Sequence, residues 1–199
     1  MPKSKLAKIG VWEAGEFIGV ILFGVGATRQ LVQRYGLKPE QGCELVRVAL
    51  TQHQNTVSRI VSIALRILKA EFQGLRLVVS FADPEHSHVG GIYQAGNWIY
   101  TGNSQASDEY IVNGKRYQGR SFRNNYKGLE HHPAVQVVQG SSKYRYVYPL
   151  DAEMRAKIQP LAKPYPKRVK DSENRPANQP GEGGLAPTHT LQLHHIALS

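Results

Sequence analysis

A strand–helix–strand pattern limits the folds that are open to this chain. The segment CELVRVAL at positions 43–50 predicts a buried strand, and LRLVVSF at 75–81 predicts another. Between them, residues 56–70 predict a helix, because Thr56 is a suitable N-cap and apolar residues recur at helical spacing. Two strands joined through such a helix predict a right-handed crossover within one sheet. The core-facing stripe of the helix comprises Val57, Ile60, Val61, Ala64, Leu65 and Leu68.

Further strand patterns surround this unit. Residues 11–24 predict a hairpin with Ala14-Gly15 as its turn and a second strand, EFIGVILFG, apolar enough to be buried on both faces. Residues 108–122 predict a small hairpin turning at Asn113-Gly114, and KYRYVYPL at 143–150 predicts a late strand. The fold class is therefore α/β or α+β, with a mixed central sheet and flanking helices. From Lys163 onward the chain is rich in Pro, Asn, Gly and charge, which predicts a disordered tail.

The charge balance favours a polyanionic partner. The chain has 25 Lys and Arg against 15 Asp and Glu, a net charge of +10. That excess favours nucleic acid first and an anionic membrane second, with simple solubility as the alternative. The single Cys43 excludes an intramolecular disulfide and a multi-cysteine metal site, and fits a reducing cytoplasm. No segment reaches the roughly 18 apolar residues of a membrane span, and MPKSKLAKIG does not have the pattern of a signal peptide.

The loop that follows the strand at 75–81 carries the first candidate site residues. Loops at the ends of buried strands commonly hold functional groups. Asp83 is a candidate general base or metal ligand, and a simple turn former before proline is the alternative. His86 and His88 are two residues apart and could share a metal with Asp83, although solvent-exposed histidines explain the same spacing.

The same loop continues as GGIYQAGNWIYTG, which favours a ligand close to the backbone. The pair Gly90-Gly91 permits such an approach. Tyr93 could donate a proton or stack on a base, and a half-buried aromatic is the alternative. Trp98 and Tyr100 begin the next strand, where Trp98 is expected to pack in the core.

Two further sets of residues could bind anions. Glu44 and Arg47 are three apart, so in an ideal strand they lie on opposite faces. Arg47 therefore needs another anion, either Asp83 on a neighbouring strand or a bound phosphate or carboxylate. Ser58 and Arg59 lie at the start of the predicted helix, whose amides could hold a phosphate of a cofactor. No P-loop or dinucleotide fingerprint is present.

A basic hairpin provides the strongest indication of nucleic-acid binding. Between positions 115 and 127 there is no acidic residue, and three aromatic residues alternate with the cations. This composition suits a nucleic-acid strand or its phosphate backbone, and an ordinary basic surface is the alternative. The cations are Lys115, Arg116, Arg120, Arg123 and Lys127, and the aromatic residues are Tyr117, Phe122 and Tyr126.

Four segments together resemble the Mom family of phage DNA-modification proteins. They are KIGVWEAGEFIGVILFGVGAT, CELVRVAL, VSRIVSIALRILK and LRLVVSFADPEHSHVGGIYQAGNWIYTG, and the resemblance extends from position 1 to about position 126. It implies conversion of adenine in double-stranded phage DNA to its carbamoylmethyl (N6-methylcarbamoyl) form. It also implies protection from host restriction, a location in the host bacterial cytoplasm and a GNAT-like acyltransferase fold at 1–150. A helical or extended segment and the tail would follow at 151–199.

Carried over by matching positions, the resemblance implies catalytic roles for Arg47, Asp83 and Tyr93. It implies iron as a metal, without ligands being assigned, and the fold implies an acyl-CoA-like donor. Two departures from the family pattern stand out. Relatives carry an N-terminal segment ending in a His-Tyr-Ser type motif before the MP that opens this chain, so the first strand of the sheet is expected to be missing. The sequence QHQNTVSR also lacks the glycine-rich turn of acyl-CoA enzymes.

Three functions therefore remain open at the level of sequence. The first is a DNA adenine-modifying transferase. In it Asp83 is the general base or orients the amine, Tyr93 positions or stacks the adenine, and Arg47 binds an anionic donor group or orders Asp83. The second is a DNA-binding protein without catalysis. The third is a GNAT-like acyltransferase acting on a small amine or a protein, which the absent glycine-rich turn disfavours.

Overall fold

The computed structural model describes residues 5–25, 29–86, 88–167 and 191–196. Ten strands and four α-helices make up the mixed α and β fold that the sequence predicts. The strands are β1 (Lys5–Glu13), β2 (Glu16–Gly24), β3 (Gly42–Leu50), β4 (Leu77–Ala82), β5 (Ile99–Asn103), β6 (Asp108–Val112), β7 (Lys115–Gln118), β8 (Val135–Gln139), β9 (Tyr144–Pro149) and β10 (Leu191–Ile196). The helices are α1 (Val57–Glu71), α2 (Gly91–Ala95), α3 (Gly119–Asn125) and α4 (Ala152–Ile158).

Seven strands form the central sheet, in the order β10-β1-β2-β3-β4-β9-β5. The predicted strand–helix–strand unit is confirmed: β3 and β4 are parallel and α1 joins them, whereas the other neighbours in this sheet are antiparallel. Its right-handedness stays a prediction. The predicted stripe of α1 faces the core, with its buried members being Ile60, Val61, Ala64, Leu65 and Leu68. The sheet is therefore mixed, with its one parallel pair at the centre.

The β1–β2 hairpin turns where the sequence predicts. Ala14 and Gly15 both have positive φ, at 52° and 87°, as a tight two-residue hairpin requires. The prediction that β2 is buried on both faces is wrong in part. Ile21 is fully buried, but Val20 is half-buried and Phe17 is 55% exposed, because only one face of the hairpin packs on the core.

Two apolar clusters cover the two faces of the sheet. Along β4, Val78 belongs to the cluster that includes α1 and α2, whereas Leu77 and Val79 belong to the cluster that includes α4. This division follows from the alternation of side chains along a strand. Met154 and Ile158 of α4 are fully buried in the second cluster. The division of the chain after residue 150 stays a prediction.

The connection between β5 and β9 forms a small unit of its own. It contains a three-stranded sheet, β7-β6-β8, and the helix α3. The predicted turn is confirmed, with Asn113 and Gly114 at φ values of 49° and 73°. The segment GRSF, predicted within that hairpin, instead begins α3. We call residues 104–143 the insertion.

The last part of the chain differs from the predicted disordered tail at two places. Lys163 donates its amide to the Tyr100 carbonyl at 2.9 Å, so the segment after α4 lies along the outer edge of β5. Leu191–Ile196 pairs antiparallel with β1 and completes the other edge of the sheet. Residues 168–190, where most of the predicted tail falls, lie outside the described residues. In the described ranges no helix is long and apolar enough to cross a membrane.

Candidate active site

The parallel strands β3 and β4 separate towards their carboxyl ends. They pair over three residue pairs only, the first at Gly42 and the last at Glu44. The hydroxyl of Ser80 then donates to the Leu45 carbonyl at 2.9 Å, so a side chain takes over where the ladder between the strands stops. We call the opening beyond this bond the β3–β4 cleft. The carboxyl ends of parallel strands are where ligands usually bind in such sheets.

A β-bulge in β3 changes which side chains share a face. Arg47 lies opposite Leu22 of β2. Glu44 lies opposite Gly24, so β3 has one residue more than β2 over this stretch, and Val46 is the extra one. Because Leu22 and Gly24 are two apart, their partners Glu44 and Arg47 lie on the same face. The prediction of opposite faces is wrong, since it assumes an unbroken period of two.

The carboxylate of Asp83 is held by partners from the end of the insertion. Lys143 Nζ lies 3.1 Å from one carboxylate oxygen. The other oxygen accepts from the Glu85 amide at 3.1 Å and from the Ser141 hydroxyl at 3.4 Å. Its described ion-pair partner is thus Lys143 and not Arg47, which is exposed. The side chain of Asp83 is 21% exposed, so a reacting group can reach it.

The hydroxyl of Tyr93 forms a hydrogen bond with Ser80, the residue that links β4 to β3 at the base of the β3–β4 cleft. It lies 2.7 Å from the Ser80 hydroxyl. Since Ser80 has one proton and gives it to the Leu45 carbonyl, Tyr93 donates to Ser80. Burial raises the pKa of Tyr93 and the nearby Glu44 raises it further, so the pKa is above its ordinary value. Tyr93 is therefore protonated at neutral pH and acts as a donor.

The ring of Tyr93 is packed among other aromatic rings. Its centre is 5.1 Å from that of Trp98 and 5.1 Å from that of Tyr146. Trp98 is 1% exposed, which confirms its predicted place in the core. With the ring engaged on both sides, the packing favours a contribution from the hydroxyl over stacking on a base. The catalytic role of Tyr93 stays a prediction.

The two glycines before α2 have different surroundings. A Cβ on Gly90 would lie 2.4 Å from a ring carbon of Tyr146, and the φ of Gly90 is +79°. A Cβ on Gly91 would meet nothing within 4 Å. Gly90 therefore makes room for Tyr146, whose hydroxyl donates to the Val89 carbonyl at 2.5 Å. Only Gly91 matches the predicted open approach for a ligand.

The described residues do not fit an iron centre. They contain no group of three or more His, Cys, Asp or Glu side chains that could hold a metal ion. The side chain of His86 lies outside the described part of the chain. His88 donates its amide to the Asp83 carbonyl at 3.2 Å, which is a contact within the loop.

A buried carboxylate occupies the approach to α1, where a cofactor phosphate was predicted. Glu13 is 7% exposed and accepts from the amides of Gln54 and Asn55 at 2.7 and 2.8 Å. Ser58 is half-buried and Arg59 is exposed. The carboxylate satisfies two amides of the turn before Val57, where α1 begins, and would repel an anion placed next to it. The assignment of Ser58 and Arg59 to a cofactor stays a prediction.

The basic hairpin is only partly available to a nucleic acid. Arg116 is in contact with Glu109 and lies 3.6 Å from Glu85, so its charge is used within the protein. Lys115 is exposed, and its ammonium lies 5.4 Å from the centre of the Tyr117 ring. Two further cations, Arg123 and Lys127, are exposed, whereas the side chain of Arg120 lies outside the described part.

Comparison with known proteins identifies the family. The model of the Mom protein family matches residues 1–167, which is most of the chain. The chain belongs to the Mom protein family. The methylcarbamoylase Mom of Escherichia phage Mu is 27% identical to it over 172 residues, which cover 80% of this chain and 71% of that relative. The match includes β3, β4 and α2, and with them the β3–β4 cleft.

Three residues around the cleft of this Mom-family chain were missed by sequence reasoning. Ser80 reads as one more small residue in a buried strand, and only its two hydrogen bonds identify it as the link between β3 and Tyr93. Lys143 is 60 positions from Asp83, so no local pattern joins them. The sequence could have indicated Tyr146 as a site residue, because KYRYVYPL places three tyrosines on one face of a strand.

Proposed function

We propose that this protein modifies adenine in double-stranded phage DNA, transferring a carbamoylmethyl group to the exocyclic amine. The observation that carries the proposal is the family match, which spans the cleft together with Arg47, Asp83 and Tyr93. The similarity to the phage Mu methylcarbamoylase supports the same conclusion. Protection of phage DNA from host restriction, in the cytoplasm of an infected bacterium, would be the benefit of the modification.

The chemistry requires an activated amine. The lone pair of the adenine amine is delocalised into the ring, so its nucleophilicity rises when a base removes a proton as the new bond forms. In the proposed step the nitrogen–carbon bond forms and one nitrogen–hydrogen bond breaks. The proton passes to the Asp83 carboxylate, and the leaving group departs from the methylene carbon of an activated carbamoylmethyl donor with its bonding electron pair. Lys143 holds the carboxylate in place.

The other two residues would position the reactants. Arg47 is exposed, on the face of β3 that also carries Glu44, and would bind an anionic part of the donor. Tyr93 would support the cleft through Ser80. Because the target amine is inside the duplex, the base must first leave the stack. Lys115, Arg123 and Lys127 are exposed cations that would hold the phosphates of the flanking DNA.

Nucleoside mass spectrometry on DNA co-expressed with the protein tests the proposal. Wild-type protein should yield carbamoylmethyl-adenine, and Asp83→Asn should abolish most of it while leaving the melting temperature close to that of wild type. Glu71→Gln is the matched control, because Glu71 is an exposed carboxylate at the end of α1. Unmodified adenine from folded wild-type protein, or full activity of Asp83→Asn, would contradict the proposal.

DNA binding without catalysis is the second candidate. It is favoured by the exposed cations of the insertion, which lie on elements other than β3 and β4. It predicts salt-dependent DNA binding that persists in Asp83→Ala, together with unmodified adenine in wild type. Absence of DNA affinity at low salt would count against both functions. The third candidate, a generic acyltransferase, is disfavoured by the buried Glu13 carboxylate, which accepts from the Gln54 and Asn55 amides just before α1 and would repel a donor phosphate there.

A further inference from the structure

A cavity lies at the β5 edge of the central sheet, away from the β1–β2 hairpin. It has a volume of about 570 Å³ and is bounded by β5, α4 and the segment that follows α4. This size is within the range of about 300–1,000 Å³ that is typical of small-molecule sites. Arg47, Asp83 and Tyr93 are not among its lining residues, so it is separate from the β3–β4 cleft.

The charge of this cavity is entirely positive. Arg155 and Lys163 line it, and no acidic residue is among the lining residues in the described part of the chain. Arg155 is half-buried, and its guanidinium carbon lies 5.8 Å from the centre of the Tyr148 ring. Lys163 is exposed, and its ammonium lies beside Gly102 of β5. A half-buried guanidinium and an exposed ammonium in one lining, with no carboxylate among the described lining residues, are suited to a phosphate or carboxylate.

Aromatic side chains supply the remaining walls. Trp98 and Tyr148 pack against each other, with ring centres 5.4 Å apart, and both line the cavity. Tyr165 closes another side, and its hydroxyl donates to the Trp98 carbonyl at 2.6 Å. Its segment is held further by the amide of Lys163 on the Tyr100 carbonyl at 2.9 Å. These walls can contact a planar ring while the cations bind an acidic group.

Asn97 adds a polar group at the rim. It lines the cavity and has a φ of +57°, in the left-handed region that few residues other than glycine adopt. Asn97 is exposed and directly precedes Trp98 in the chain. An asparagine carboxamide can pair with the amine and ring nitrogen of adenine.

We propose that this cavity binds a nucleotide: a planar heteroaromatic ring carrying a phosphate. The ring lies against Tyr148 and Tyr165, and the phosphate binds Arg155, with Lys163 as the second cation of the lining. The ligand could come from a free mononucleotide or from a nucleotide of the DNA chain, which have the same chemistry. The inference rests on the cavity alone and stands whether or not the protein modifies adenine.

Isothermal titration calorimetry with adenosine monophosphate tests the proposal. We expect saturable binding at one site, and affinity at least about tenfold lower in the double variant Arg155→Gln/Lys163→Gln, since losing one charge-assisted contact is enough for that change. Arg66→Gln, which removes an exposed cation of α1, should leave the affinity unchanged. Inorganic phosphate and adenosine should each bind more weakly than the nucleotide that combines them.

A short single-stranded deoxyadenylate distinguishes the two sources. Competition with adenosine monophosphate would identify a nucleotide of DNA as a ligand, and lack of competition would identify the free nucleotide. Lys163→Gln alone repeats the test if the double variant fails to fold, because the Lys163 side chain is exposed and its backbone bond to Tyr100 remains. Absence of saturable nucleotide binding to folded wild type at millimolar concentration, or unchanged affinity in the cavity variants, would overturn the proposal.

Discussion

Replacing Glu13 should destabilise the fold far from any predicted catalytic residue. Its carboxylate accepts three hydrogen bonds, from the amides of Gln54 and Asn55 and from the Asn55 side chain at 2.5 Å. Glu13→Ala would leave these donors without their acceptor, and both Glu13 and Asn55 are buried. A buried unsatisfied donor costs about 1–3 kcal/mol. Allowing for water entering the space, we expect a loss of about 3 kcal/mol in the free energy of unfolding.

The variant Glu13→Gln tests how much the charge of Glu13 contributes to the free energy of unfolding, because it keeps nearly the same shape. The pH dependence of stability tests the same contribution. The amide retains one acceptor oxygen but loses the charge-assisted bonds, so we expect a loss of about 1–2 kcal/mol at neutral pH. Burial raises the pKa of Glu13, but the bonds from Gln54 and Asn55, aided by nearby His53, lower it by more, and the net pKa is below the ordinary value. A depressed pKa stabilises the fold above the unfolded-state value of about 4.3. That stabilisation is lost as the pH falls through the folded-state value.

Urea denaturation between pH 3 and pH 8 measures both effects. The difference between wild type and Glu13→Gln should be constant near neutral pH and shrink as the pH falls below about 4.3. Glu16→Gln is the control, since Glu16 lies opposite Glu13 in the β1–β2 hairpin but is exposed. A Glu13→Ala variant as stable as Glu16→Gln, or a difference that does not change with pH, would refute the assigned role of this carboxylate.

Three further variants test other parts of the structure. Tyr93→Phe should cost about 1 kcal/mol by thermal denaturation, the usual value of a hydrogen bond, and a larger loss of DNA modification than of folded protein would assign its hydroxyl to the reaction. Gly90→Ala should cost about 2–4 kcal/mol, because the new methyl meets the Tyr146 ring and φ is positive; an unchanged melting temperature would contradict that geometry. Asp151→Asn should lose about 1 kcal/mol, since the carboxylate pairs with Arg76 at 2.9 Å. Its bond to Arg76 lowers the pKa of Asp151 to about 2, so wild type should keep this advantage above pH 4 and lose it towards pH 2, as acid denaturation will check.

The sequence predicts elements whose pattern is local. The stripe of α1 identifies both the helix and its buried face, because its apolar residues recur within a few positions of one another. Asn113 and Gly114 identify a hairpin turn, because both must adopt positive φ. Parallel pairing of β3 and β4 follows from the length of the connection between them. In each case the information lies within about 40 residues.

The site depends on contacts that carry no local pattern. The bulge at Val46 changes the face of Arg47, yet inserting one residue leaves the apolar pattern of β3 intact. Asp83 and Lys143 are brought together only because β9 runs antiparallel between β4 and β5. The insertion hides this arrangement, since about 40 residues with strands of their own separate β5 from β9. Similarly, β10 pairs with β1 across nearly the whole length of the chain.

The insertion joins two features that the sequence presents as separate. Its basic hairpin carries the cations predicted to bind DNA, and its last residues hold Asp83 through Lys143. Arg116 belongs to both sets, because it reaches Glu85 in the loop that begins at Asp83. The ion pair of Arg116 with Glu85 is partly exposed and worth at most about 1 kcal/mol, so a phosphate that drew Arg116 away from Glu85 would alter this loop at little cost, while the closer contact with Glu109 opposes a larger movement. Loss of activity in an Arg116 variant therefore reflects changes in the loop as well as in DNA affinity. Lys127 is exposed at the end of the basic hairpin, so loss of activity in a Lys127 variant reflects DNA affinity alone.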